Sequence, residues 1–98
     1  MANNLIVSID LSNPARNESA VARAIRSLGV AAQLQKTVWY IKTERPASEA
    51  GERLRAILEP ADSLMVVDAT NRFATWHNLD FKVSQFLQDQ WYRARVAA

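Results

Sequence analysis

Few side chains in this chain of 98 residues are equipped for chemistry. With no cysteine, thiolate nucleophiles, thiolate metal sites and disulfides are excluded together. His77 is the one histidine. No Ser-His-Asp spacing surrounds it, and beside Trp76 it reads as a loop or packing residue. There is no Walker loop, no G-x-G-x-x-G and no zinc spacing. Carboxylates remain. Asp10 closes the apolar run Leu5-Ile6-Val7-Ser8-Ile9 and precedes the turn residues Ser12-Asn13-Pro14. It is therefore expected at the C-terminal end of a strand. A carboxylate there can ligate Mg²⁺ or Mn²⁺, which take hard oxygens. One copy makes a poor site. Two copies of Asp10 meeting across a twofold axis make a better one, where a bound ion activates water or steadies a phosphate. The plainer reading of Asp10 is an acceptor for turn N–H groups of residues 11–13.

Two other groups of residues invite a role. Asp68 closes a later apolar run, Leu64 to Val67. If its strand runs antiparallel to that of Asp10, the two carboxylates lie at opposite ends of the sheet, about 17–20 Å apart. Asp68 is then a turn residue for Thr70-Asn71-Arg72. Arg16 and Arg23 are the candidate phosphate contacts on the first helix, with a solvated helix face as the competing explanation. Trp39-Tyr40 is no base-stacking platform, because consecutive strand residues face opposite ways.

These residues need elements to position them. Leu5 to Ile9 suits a buried strand. A helix follows, with Asn17 as its expected N-cap, Val21, Ala24, Ile25 and Leu28 as its buried stripe, and Gly29 as a left-handed stop. Val30 to Leu34 and Thr37 to Thr43 read as two strands reversing at Gln35-Lys36. Ser48 is the expected N-cap of a second helix through Ala50, Leu54, Ile57 and Leu58, ended by Pro60. Leu64 to Val67 is the fourth strand. The order strand, helix, strand, strand, helix, strand predicts an α+β, ferredoxin-like βαββαβ sandwich with both helices on one face. Residues 80–94 carry a further helix with Val83, Phe86, Leu87 and Trp91 on one stripe. It can lie on the open sheet face or pack against a partner subunit. A single domain over 1–98 is expected, with a core of about 4–69 and a C-terminal extension over 70–98.

Composition sets the outer bounds. Net charge is +2, from 12 Lys and Arg against 10 Asp and Glu. The high isoelectric point reflects arginines that keep their charge to high pH rather than a concentrated basic face. The N-terminal apolar run is cut by Ser8 and Asp10, too soon for a signal peptide or a membrane span. A cytoplasmic protein with no membrane partner and no small-molecule cofactor is the expectation.

The segment Leu5 to Leu11, Arg16, the Ser27-Leu28-Gly29 helix end and Gln35-Lys36-Thr37-Val38-Trp39 together resemble the small CRISPR-associated integration-complex subunit, an endoribonuclease-like superfamily. Val67-Asp68-Ala69-Thr70-Asn71-Arg72 and Ala74-Thr75-Trp76 are similar to its uncharacterised SinR-like branch. VapD-type ribonuclease toxins are more distant. The resemblance implies a ferredoxin-like homodimer joined through the open sheet face, with Asp10 facing its twin. It also implies metal-dependent cleavage of RNA or DNA with Mg²⁺ or Mn²⁺, or a scaffold role without cleavage; a ribonuclease toxin is a third reading. Ile9 stands where that superfamily commonly has Tyr, and a helix stands where it adds a strand across the dimer.

Overall fold

The computed structural model describes residues 2–91. Strand β1, Asn3–Asp10, alternates as its sequence demands: Leu5, Val7 and Ile9 are buried on one side, while Asn4 and Ile6 turn to the other. Helix α1, Pro14–Leu28, follows. Asn17 does not cap it. Pro14 stands in its first turn, where a fixed φ and a missing N–H cost nothing, and Asn13 takes the N-cap position without a side-chain bond. The stripe Val21, Ile25 and Leu28 is buried as its spacing requires.

Strands β2, Val30–Gln35, and β3, Val38–Thr43, form a hairpin. Its turn is Lys36-Thr37, one residue later than Gln35-Lys36, because an irregularity between Gln33 and Gln35 shifts the register. Helix α2, Ala47–Arg55, starts directly after Pro46, whose carbonyl accepts the Ala50 N–H at 3.1 Å. Ser48 therefore lies inside the first turn. The helix stops before Ile57, where i to i−3 bonds, Ile57 N to Leu54 O and Leu58 N to Arg55 O, tighten the chain. Ile57 lies past the end of the helix and stays 40% exposed. Strand β4, Ser63–Asp68, completes the sheet.

The sheet order is β2-β3-β1-β4, every neighbouring pair antiparallel. With helices α1 and α2 on one face, this is a ferredoxin-like α+β sandwich. Leu5, Val7, Ile9, Trp39, Ile41, Val21, Ile25, Leu28, Ala50 and Leu54 make one core between the layers. Gly29 is not the left-handed stop. Its φ of 168° is extended, and it is needed for space: a Cβ there would stand 2.2 Å from the Lys42 carbonyl oxygen.

Helix α3, Phe81–Trp91, settles how the second sheet face is used. Residues 92–94 of the expected helix lie outside the described residues. Leu87 and Trp91 pack on Tyr40, joined by Ile6, Leu34, Val83 and Phe86. Tyr40 meets Phe86 edge-on at 6.0 Å and Trp91 at 5.2 Å. A buried polar latch holds this contact. The Tyr40 hydroxyl donates to Asn4 Oδ1 at 2.7 Å, and Asn4 Nδ2 donates to the Trp91 carbonyl at 2.6 Å. The Lys42 ammonium donates to the Gln90 carbonyl, and the Trp91 indole N–H to the Arg72 carbonyl. The Asn4 amide and the Lys42 ammonium thus meet carbonyls of α3, where the helix dipole favours positive charge. The helix covers the β2–β3 half of the face. On β4, Met65 (60% exposed) and Val67 (44%) stay uncovered. Among the described residues no helix is long and apolar enough to cross a membrane.

Candidate functional site

Asp10 sits where the chain demanded it, at the end of β1 and exposed. It does not cap the turn after it. The Ser12 N–H and hydroxyl go instead to Asp62 Oδ1, at 2.8 and 2.9 Å. Asn17 Nδ2 and the Glu59 N–H bind Asp62 Oδ2 at 3.1 and 2.8 Å. Asp62 thus ties the β1–α1 turn to the α2–β4 loop. The Glu59 and Ser12 amides pull its pKa from 3.8 to about 2, helped by Asn17 and the Ser12 hydroxyl. The consequence for Asp10 is that its carboxylate is uncommitted: among the described residues no side-chain hydrogen bond or ion pair engages it.

Strand pairing fixes its neighbours. The Ile9 N–H bonds the Thr37 carbonyl at 2.8 Å, so Asp10 lies beside the β2–β3 turn. There a cleft of about 580 Å³ opens between α1 and the hairpin. Asp10 and Lys36 border it, with Glu18 and Arg26 from α1, and Gln33 and Trp39 from the hairpin. Trp39 is core, 5% exposed, and the Arg26 guanidinium lies 4.9 Å from its ring centroid. Such a contact is worth about 0.5–1 kcal/mol at an exposed site.

Asp68 is held apart. Asp10 pairs with Ser63 and Leu5 with Asp68, five positions of antiparallel ladder, or about 17 Å. Asp68 binds the Thr70 hydroxyl and N–H, bonds that lower its pKa in that order. Arg16 pairs with Glu59 at 3.0 Å, across from the Asp62 clamp. Arg23 is exposed on α1 and borders no part of the cleft. Neither arginine stands beside Asp10. Glu18, Lys36 and Arg26 share the cleft that Asp10 borders, and the sequence alone does not single out Arg26. The signal that marks it is the line Glu18, Ala22, Arg26 at helical i, i+4, i+8 spacing, flanking the buried stripe. His77 is exposed in the segment joining β4 to α3, whose Asn71 and Asn78 take positive φ of 64° and 59°.

A divalent ion is a demanding tenant. No group of three or more His, Asp or Glu converges among the described residues. Mg²⁺ accepts one or two carboxylates with waters and substrate phosphates completing its shell. An uncommitted Asp10 supplies one such carboxylate.

No family model matches the chain, and no curated protein matches it. Among solved structures it is similar to the crystal structure of a hypothetical protein, TT1823, from Thermus thermophilus. The TM-score is 0.62 at 18% identity, covering 83% of this chain and 98% of that one. At that identity the likeness carries the fold alone.

Proposed function

We propose that this protein is a homodimer that handles nucleic acid, with the Asp10 carboxylates of two copies holding one Mg²⁺ or Mn²⁺ for phosphodiester hydrolysis. The observation that supports the reading is the placement of Asp10: exposed, without a partner, and in the row of β1 that also carries Ile6 and Ser8. That row runs beside Met65 and Val67, the half of the sheet that α3 leaves open. A twofold contact over this strip buries the apolar side chains and draws the two strand ends together. Each Asp10 contributes hard oxygens, and the Asp62 clamp fixes the turn that follows it. Lys36, at the hairpin turn beside the end of β1, supplies positive charge for a phosphate backbone. Arg23 extends it along α1. Arg16 adds to it, because an exposed pair such as Arg16–Glu59 gives up little when it opens. When bound, the ion neutralises phosphate charge and lowers the pKa of a water.

The test is cleavage of fluorescent single-stranded RNA and DNA with Mg²⁺ or Mn²⁺. Asp10→Asn should lower turnover at least about a hundredfold while leaving the dimer intact in light scattering. Equal cleavage by the variant removes Asp10 from the reaction.

A second reading has its own support. Phe73 (80% exposed) and Phe81 (73%) join Met65 and Val67 as large apolar groups in solvent, which suits a docking module without catalysis. It predicts no metal-stimulated turnover on either nucleic acid.

A further inference from the structure

We infer that the cleft between α1 and the β2–β3 hairpin binds a small organic zwitterion, with an ammonium at one end, a carboxylate at the other and a short aliphatic spacer. This goes beyond the hydrolytic reading and does not depend on it. Glu18, Ala22 and Arg26 follow one another at four-residue intervals, so they line the cleft in a row along α1. At 1.5 Å per residue, Glu18 and Arg26 stand about 12 Å apart along the axis. A ligand reaching both must therefore bridge side chains that leave the helix two turns apart, which calls for several methylenes between its own charges.

Ala22 gives the middle of the cleft its width, and the nearly buried Trp39 lines its base with Arg26 over the ring. Arg26 is held at the cleft by its contact with the Trp39 ring. Glu18 is exposed, and no ion pair or side-chain hydrogen bond occupies it among the described residues. Acid and base therefore face one space without neutralising each other. A purely cationic ligand would meet Arg26, and a purely anionic one Glu18; only a molecule carrying both charges satisfies both ends. Asp10 and Lys36, opposite in sign, also border the cleft. The volume of about 580 Å³ lies within the range of small-ligand sites.

The experiment is a titration of the ¹⁵N-labelled full chain with 5-aminopentanoate, watched by two-dimensional NMR. Pentanoate and pentylamine are the single-charge controls. Saturable shifts are expected at the Trp39 indole N–H and at the amides of residues 18–26, with both controls at least about tenfold weaker. Glu18→Gln and Arg26→Gln, both at exposed positions, should each weaken binding about tenfold. Ala22→Phe should abolish it by filling the cleft, and the same spectra report whether each variant is folded. Shifts that rise without saturating, controls that bind as tightly, or charge variants that bind unchanged would each overturn the site.

Discussion

Single side chains do two kinds of work here, and pH separates them. Asp62 is held ionised by four donors, its pKa lowered from 3.8 to about 2. A depressed folded pKa stabilises above the unfolded value and loses that contribution as pH falls from about 4 to about 2. Asp62→Asn should thus melt below the parent protein at pH 7, and the two melting curves should converge as pH approaches 2. A gap that stays constant with pH would show that the clamp does not depend on charge. Tyr40 is the opposite case. Burial pushes its phenol pKa up from 10.0, so the neutral form is favoured and stability is lost as pH rises above about 10. Tyr40→Phe should leave Asn4 Oδ1 buried without its donor and cost about 1–3 kcal/mol in denaturant unfolding. Asp10 was legible from residue types alone, because an apolar run ending in an acid before turn residues has few other placements. Asp62 was not. Beyond the nearby Glu59 amide, its partners Asn17 and Ser12 lie 45 and 50 positions away, and only the tertiary fold brings them together.

At the scale of elements, hydrophobic period located every strand and helix, and the errors fall at their ends. Asn17 and Ser48 have the chemistry of N-caps, yet Pro14 and Pro46 start both helices earlier by fixing the backbone before those residues are reached. Gly29 was recognised as a stop for the wrong reason. It is pressed against β3, so Gly29→Ala should cost about 1–3 kcal/mol through overpacking against backbone that cannot move aside. A near-neutral result would mean that the α1–β2 joint relaxes. The position of α3 was left open by sequence, since an apolar stripe does not say which surface it covers. Tyr40, Asn4 and Lys42 on the sheet decide it by offering a ring, an amide and an ammonium to the last turn of the helix. Trp91→Ala removes the largest apolar contact of that latch and should lower stability by about 3–5 kcal/mol, read by equilibrium unfolding.

On the scale of the whole molecule, the sheet is asymmetrically dressed. Two helices cover one face, α3 covers half of the other, and the remaining half presents Met65 and Val67 beside the row that ends in Asp10. The proposed dimer over that strip would be sensitive to charge: Met65→Lys with Val67→Lys is expected to yield monomers in analytical ultracentrifugation without altering the fold. The absence of cysteine offers a direct probe of the geometry. Asp10→Cys carries the single thiol of the chain and takes one spin label per protomer. In frozen solution, dipolar broadening is expected between the two labels of a dimer, relieved when labelled chains are diluted with unlabelled ones. A dimer whose spectrum is the same before and after dilution would place the two strand ends far apart and contradict a shared ion.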